Sequence, residues 1–257
     1  MDIIKSLVEH SDYEDMLQKV YGISSNKEYE YILVAPAWDI QKIFSLDEFN
    51  CQLICENADC KTYEIDINKK KIIYITLKIG APNMMDFCLL CHSAKCDNFI
   101  FLGSAGAIVK GIELGDIIVP KFSYSGDGAS MYLYDNLDGC NFLRKAYPNE
   151  QLSNRVVDAV TALGLEPKRE AVMTIDSIAV EYAHTPKFVE MGASIIEMET
   201  SAFFNAMNYI SKNATAILVV SDNSANGEHL LGRTEEQKVR YHKQRDMVSK
   251  IITRVIL

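Results

Sequence analysis

The chain has 257 residues, with 26 Lys plus Arg against 35 Asp plus Glu and a formal net charge of −9 at pH 7. Such acidity argues against nucleic acid or an anionic membrane surface as a partner, and no apolar run approaches the ~20 residues a membrane span needs. The opening stretch MDIIKSLVEHSDYEDML lacks the basic start and long apolar core of a signal peptide, so a cytoplasmic location is expected. The seven cysteines (Cys51, Cys55, Cys60, Cys88, Cys91, Cys96 and Cys140) are then expected to be free thiols.

In chain order, residues 1–28 carry apolar positions at helical spacing (Ile3, Ile4, Leu7, then Met16, Leu17, Val20, Tyr21) and predict a helical N-terminal extension. Residues 29–257 predict one main domain. Tyr31 to Pro36 reads as a buried strand, and Trp38 to Phe44 as the helix or turn after it. Gln52 to Cys55, Lys61 to Ile67 and Ile72 to Lys78 are strands, the last two joined by a polar turn at 68–71. Pro82 to Ala94 is a helix. It contains Cys88-Leu-Leu-Cys91-His92, which has the spacing of a haem attachment sequence but reads as core on an apolar helix without an export signal. No second cysteine–histidine pair suits zinc.

Asn98 to Leu102 predicts a strand that breaks into a Gly103-Ser-Ala-Gly106 turn, and Asp116 to Pro120 predicts another strand. Residues 121–150, rich in Gly, Ser, Asp and Tyr, read as a long surface loop of functional length. Leu152 to Leu163 is a helix, Ala171 to Ile175 a strand, and Pro186 to Met191 the start of a helix. Thr234 to Leu257 reads as one long C-terminal helix. Strands alternate with helices throughout, so the expected class is α/β: a single-domain three-layer α/β/α sandwich around a mixed, mostly parallel twisted sheet.

The chemistry gathers where apolar strands stop at acids. Ile195 to Phe204, IIEMETSAFF, sets Glu197 and Glu199 either side of Met198. Carboxylates so close to a buried run are costly unless partnered. Two of them can accept hydrogen bonds from vicinal hydroxyls and favour a developing oxocarbenium ion. Ala216 to Val220 also ends in an acid, Asp222, and open α/β sheets place ligands at the carboxyl ends of their strands. A desolvated aspartate there can serve as a proton donor. The glycines of residues 103–106 let backbone amides approach an anion, and Ser104 adds a hydroxyl.

These segments run in the order of a known family. FLGSAGAI at 101–108, LGDIIVP at 114–120, SGDGAS at 125–130, TIDSI at 174–178, GASIIEMETSAFF at 192–204 and VVSDN at 219–223 make the chain resemble the nucleoside phosphorylase superfamily. That superfamily holds hexameric purine nucleoside phosphorylases, uridine phosphorylases and methylthioadenosine nucleosidases. The resemblance implies an enzyme that cleaves the N-glycosidic bond of a purine nucleoside with phosphate, giving free base and ribose 1-phosphate. It implies Asp222 as the acid that protonates the base at N7 and Arg240 as its helper. It places Ala105, Gly106, Ile178, Glu197, Met198 and Glu199 around the nucleoside, and Ser104 and Ala37 at the phosphate. No cofactor is implied beyond phosphate as co-substrate, and no metal; a homo-oligomer, dimer or hexamer, is. The resemblance also marks departures: Gln41 and Phe101 stand where phosphate-holding arginines are expected, and Ile178 where a base-stacking aromatic is common. Two alternatives follow: a nucleosidase in which Asp39 orients water, and a non-catalytic nucleoside-binding member.

Overall fold

The computed structural model describes residues 2–10, 15–45, 49–134, 137 and 141–257. Its helices are α1 (Ile3–His10), α2 (Met16–Tyr21), α3 (Ala81–Leu90), α4 (Glu150–Ala162), α5 (Glu181–Glu190), α6 (Thr200–Tyr209), α7 (Glu235–Arg245) and α8 (Val248–Ile256). Its strands are β1 (Tyr31–Val34), β2 (Asn50–Glu56), β3 (Cys60–Ile67), β4 (Lys70–Leu77), β5 (Asn98–Ala107), β6 (Ile117–Ile118), β7 (Phe122–Gly126), β8 (Lys145–Ala146), β9 (Pro167–Lys168), β10 (Ala171–Ile175), β11 (Ile195–Glu197) and β12 (Asn213–Asn223).

All twelve strands join one mixed sheet in the order β2-β3-β4-β1-β5-β11-β10-β7-β8, with β12 pairing both β5 and β6, and β6 pairing β9. The centre is parallel: β1 with β4 and β5, β12 with β5, and β10 with β7 and β11. The β2-β3-β4 meander is antiparallel. Central strands such as YILV and AILVV are buried on both faces, as near-continuous apolar runs in parallel sheets must be.

Each face has its own core. On one face Leu17, Tyr21, Met84, Phe87, Phe203 and Phe204 bring α2, α3 and α6 against the sheet. On the other, Val156, Val160, Tyr241, Ile251 and Ile252 bring α4, α7 and α8. This is the expected three-layer α/β/α sandwich. The segment before β1 packs into the first core, with the Tyr21 ring edge-on to Phe87 at 5.0 Å and the Ile3 N–H donating to the Tyr209 hydroxyl at 2.9 Å. Cys88 and Cys91 are fully buried in the same core. The expectation for Cys140 lies outside the described residues. No helix among the described residues is long and apolar enough to cross a membrane.

Four element expectations need correction. The strand from Asn98 does not turn at Gly103; β5 continues to Ala107, held by β12 on one edge and by β11 at its end. The small residues serve close packing within a strand. A Cβ on Gly106 would lie 3.2 Å from Asp222 Oδ2 and 3.3 Å from Ile196 Cγ2.

Residues 121–150 are not a single loop. They hold β7 and β8, and the inward positions of β7 are serines rather than hydrophobes. Ser123 Oγ meets Thr174 Oγ1 at 2.9 Å, and Ser125 Oγ accepts from Asn205 Nδ2 at 2.9 Å. The helix before β11 begins at Glu181, with Pro186 inside it. Thr185 Oγ1 donates to the Glu181 carbonyl at 3.0 Å. The C-terminal segment is two helices. α7 buries only Tyr241, whereas α8 buries Val248, Ile251, Ile252, Val255 and Ile256, each such side chain contributing roughly 1.5–3 kcal/mol. The chain bends at Asp246 and Met247 to lay that stripe on the sheet.

Candidate active site

The carboxyl ends of β1, β5, β10, β11 and β12 open into one cavity of about 270 Å³. Ala37, Ser104, Ala105, Gly106, Ile178, Glu197, Met198, Glu199 and Asp222 all line it. So do four side chains that the sequence did not single out: Trp38, Glu181, Arg233 and Tyr241.

Asp222 is aimed by an irregularity in β12. The strand pairs Val220 with Ala105 and then Asp222 with Gly106, so Ser221 is the extra residue of a bulge. Bulges re-aim side chains next to active sites. Ser221 Oγ lies 2.6 Å from Asp222 Oδ1 and donates to it. Burial pushes the Asp222 carboxyl above the usual range, against the Ser221 hydroxyl and the charges of Arg233 and His229. Burial that favours the neutral form suits this carboxyl to a proton donor's role.

Glu197 closes β11 and is buried. Its Oε2 accepts from the Glu199 and Thr200 N–H groups, both at 2.7 Å, and its Oε1 accepts from the Thr174 hydroxyl. It thereby satisfies N–H groups at the start of α6, which has no side-chain cap of its own. Glu199 is left facing the cavity, its Oε1 accepting from the Gly80 N–H at 2.6 Å. Burial and the Glu197 charge push its carboxyl up to about 8. A carboxyl neutral at pH 7 can both donate to and accept from a sugar hydroxyl.

The same cavity holds a polar cluster. Trp38, the chain's one tryptophan, donates from Nε1 to Ser104 Oγ at 3.1 Å, and Ser104 Oγ lies 2.6 Å from the Tyr241 hydroxyl. The Arg233 guanidinium stands 5.2 Å from the Tyr241 ring centre, and its NH1 donates to the Ser221 carbonyl at 3.2 Å. Its Nε is buried without a partner. Ala37 takes φ = 59°, a left-handed conformation that residues other than glycine rarely adopt and that clusters at ligand-holding turns.

The profile of the family described as the Phosphorylase superfamily matches residues 33–257. The chain belongs to that superfamily. The purine nucleoside phosphorylase DeoD-type of Bacillus velezensis is 26% identical over 208 residues, covering 76% of this chain and 84% of that protein. In fold the chain is similar to a uridine phosphorylase from Vibrio fischeri, with TM-score 0.73 and 21% identity over 91% of this chain and 92% of that one. It is similar also to a purine nucleoside phosphorylase from Toxoplasma gondii, with TM-score 0.72 and 16% identity over the same shares.

Of the residues that the family resemblance places at the site, Arg240 stands elsewhere and does not line the cavity. It faces Glu228 at 3.5 Å and Glu113 at 3.9 Å; the arginine whose charge acts on Asp222 is Arg233. Arg240 sits on the outward side of α7, and the neighbouring Tyr241 takes the inward one. Gln41 is exposed and off the cavity. Lys42 donates to the Ala37 carbonyl at 3.1 Å and braces the turn from outside. Phe101 lines the cavity and packs on Phe203, ring centres 5.9 Å apart. Asp39 accepts from the Gln41 N–H at 3.2 Å, capping a short 3-10 turn outside the cavity. Ile178 is 51% exposed at the mouth.

The crowded acids carry a stability consequence. The folded chain keeps the Glu199 proton up to about pH 8, whereas an ordinary glutamate releases it near 4.5. The folded state therefore binds the extra proton between these values, and stability falls as pH rises through them. Glu181, raised to about 7, adds a slope of the same sign. Thermal melts of wild type are expected to drop over this window, and Glu199→Gln is expected to flatten much of the slope. A wild-type melting temperature that climbs from pH 5 to 8 would contradict the assignment.

Proposed function

We propose that this chain cleaves the N-glycosidic bond of a purine nucleoside by phosphorolysis, giving free base and ribose 1-phosphate. The observation that carries the reading is the bulge-aimed Asp222, with its raised carboxyl, sharing one cavity with the Ser104–Trp38–Tyr241 cluster and the Arg233 cation. In this reading Glu199 and Met198 hold the sugar. As the C1′–N9 bond lengthens, its electron pair moves into the base, and Asp222 gives its proton to N7 and is left ionised. A phosphate oxygen bonds to C1′ from the opposite side. The buried acids favour the positive charge that develops on the sugar.

A dianion needs cationic partners. Among the described residues lining the cavity, Arg233 carries the one Lys or Arg side chain, so it takes the place of the family arginines that Gln41 and Phe101 leave vacant. The same position lets it restrain the Asp222 charge after proton transfer. A nucleosidase reading rested on Asp39 as water orienter, and Asp39 is spent on a cap outside the cavity. The chain is proposed to act as a homo-oligomer without a metal or organic cofactor.

The test is base release from inosine, adenosine and uridine in the presence of phosphate, for wild type and Arg233→Ala. Purine nucleosides are expected to turn over and uridine is not. Loss of a charged contact of about 1.5–3 kcal/mol is expected to raise the phosphate KM of Arg233→Ala roughly 10–150-fold. Uridine as the better substrate would sink the purine reading. An unchanged phosphate KM would remove Arg233 from the anion.

A further inference from the structure

Glu181 is a second acid at the base end, and the mechanism above does not use it. It opens α5, lines the cavity and is only 8% exposed. The one hydrogen bond at this residue runs to its backbone carbonyl, from Thr185. Among the described residues, no donor or cation pairs with its carboxyl. The acid charge that acts on it is that of Asp222, in the same cavity. A glutamate with little of its surface exposed, its carboxyl unpaired and opening onto a ligand cavity, holds a partly desolvated charge at some cost in the empty protein. Contact with a hydrogen-bond donor on the ligand relieves that cost.

In the proposed reaction Asp222 carries the proton and donates it, which leaves Glu181, lining the same cavity, to accept. The pair therefore presents one donor and one acceptor. The purine edge next to Asp222 is the N7 edge, and its exocyclic group is the 6-substituent. Adenine shows an acceptor at N7 and a donor at N6 on that edge, whereas a 6-oxopurine shows two acceptors. The 6-aminopurine matches a pair holding one proton, and the 6-oxopurine needs a second proton.

We propose that Glu181 reads the base, accepting a hydrogen bond from a 6-amino group while Asp222 donates to N7, so that 6-aminopurine nucleosides are preferred over their 6-oxo counterparts. This rests on the purine-cleaving function proposed above. The remaining charged and titratable groups at this end are Arg233, His229 and Tyr182. Arg233 and His229 act on Asp222, and Tyr182 and His229 stack edge to face at the mouth, ring centres 6.2 Å apart.

The test compares kcat/KM for adenosine and inosine, with phosphate, in wild type, Glu181→Gln and Glu181→Ala. Binding of free adenine and hypoxanthine to wild type supplies a readout that needs no variant. Wild type is expected to favour adenosine, and adenine over hypoxanthine, by about tenfold or more. Glutamine offers an acceptor and a donor without a proton, so in Glu181→Gln the adenosine-to-inosine ratio is expected to fall by about tenfold. A general folding defect would lower both rates and leave the ratio in place. An unchanged ratio in both active variants, or hypoxanthine binding wild type as tightly as adenine, would overturn the proposal. Should wild type cleave neither purine nucleoside, the proposed function itself fails. Cleavage of both without preference sinks only the role of Glu181.

Discussion

Asp222→Asn is expected to lower kcat on a purine nucleoside by about 10²–10⁴-fold, the span of a lost general acid, with a much smaller change in KM. Asparagine keeps the shape and can still accept from the Ser221 hydroxyl, but it has no proton to give N7. The loss should be almost wholly in the chemical step, because the proposed reading assigns the contacts to sugar and anion to other cavity residues, Glu199, Met198, Ser104 and Arg233. The carboxyl's surroundings explain why the effect is large. Burial raises it, and the bulge at Ser221 with the bare Cα of Gly106 lets its Oδ2 sit close over β5. Steady-state kinetics on the folded variant decides the matter. A kcat within about threefold of wild type would remove Asp222 from the acid role, since even the low end of general acid catalysis is about a hundredfold.

Glu197→Ala is expected to be the most destabilising change in the site. The Glu197 carboxylate takes two backbone N–H groups and one hydroxyl in a buried position. Alanine leaves those donors at the start of α6 unsatisfied, at about 1–3 kcal/mol for each buried group. Part of this is offset, because burial already raises the Glu197 carboxyl and makes its charge costly. A net loss of about 2–4 kcal/mol should lower the melting temperature by roughly 5–12 °C in a chain of this size. Glu197→Gln keeps an acceptor and should lose less than half as much. Equal melting temperatures for alanine variant and wild type would show that the capping contacts carry no net stability.

The positions of the acids were legible in the sequence because apolar strands that stop at carboxylates mark a sheet rim, and Glu197, Glu199 and Asp222 do converge there. The α/β class was legible from the same alternation. Less visible was anything set by direction. Arg240 and Tyr241 are neighbours, and only the helix rotation decides that the tyrosine faces Ser104 while the arginine faces Glu228. Arg233 precedes α7 in an irregular segment without periodicity to place it. Glu181 was hidden by Pro186, which suggested a later helix start. Trp38 carried a signal, as the sole tryptophan after a buried strand, but its indole N–H partner is 66 residues away. β7 escaped notice because polar pairing, rather than apolar side chains, buries its inner face.

Phosphate as the nucleophile is tested most directly by the sugar product formed from adenosine with and without phosphate. Base release is expected to require phosphate and to yield ribose 1-phosphate in equal amount. Free ribose, formed at the same rate in phosphate-free buffer, would contradict it.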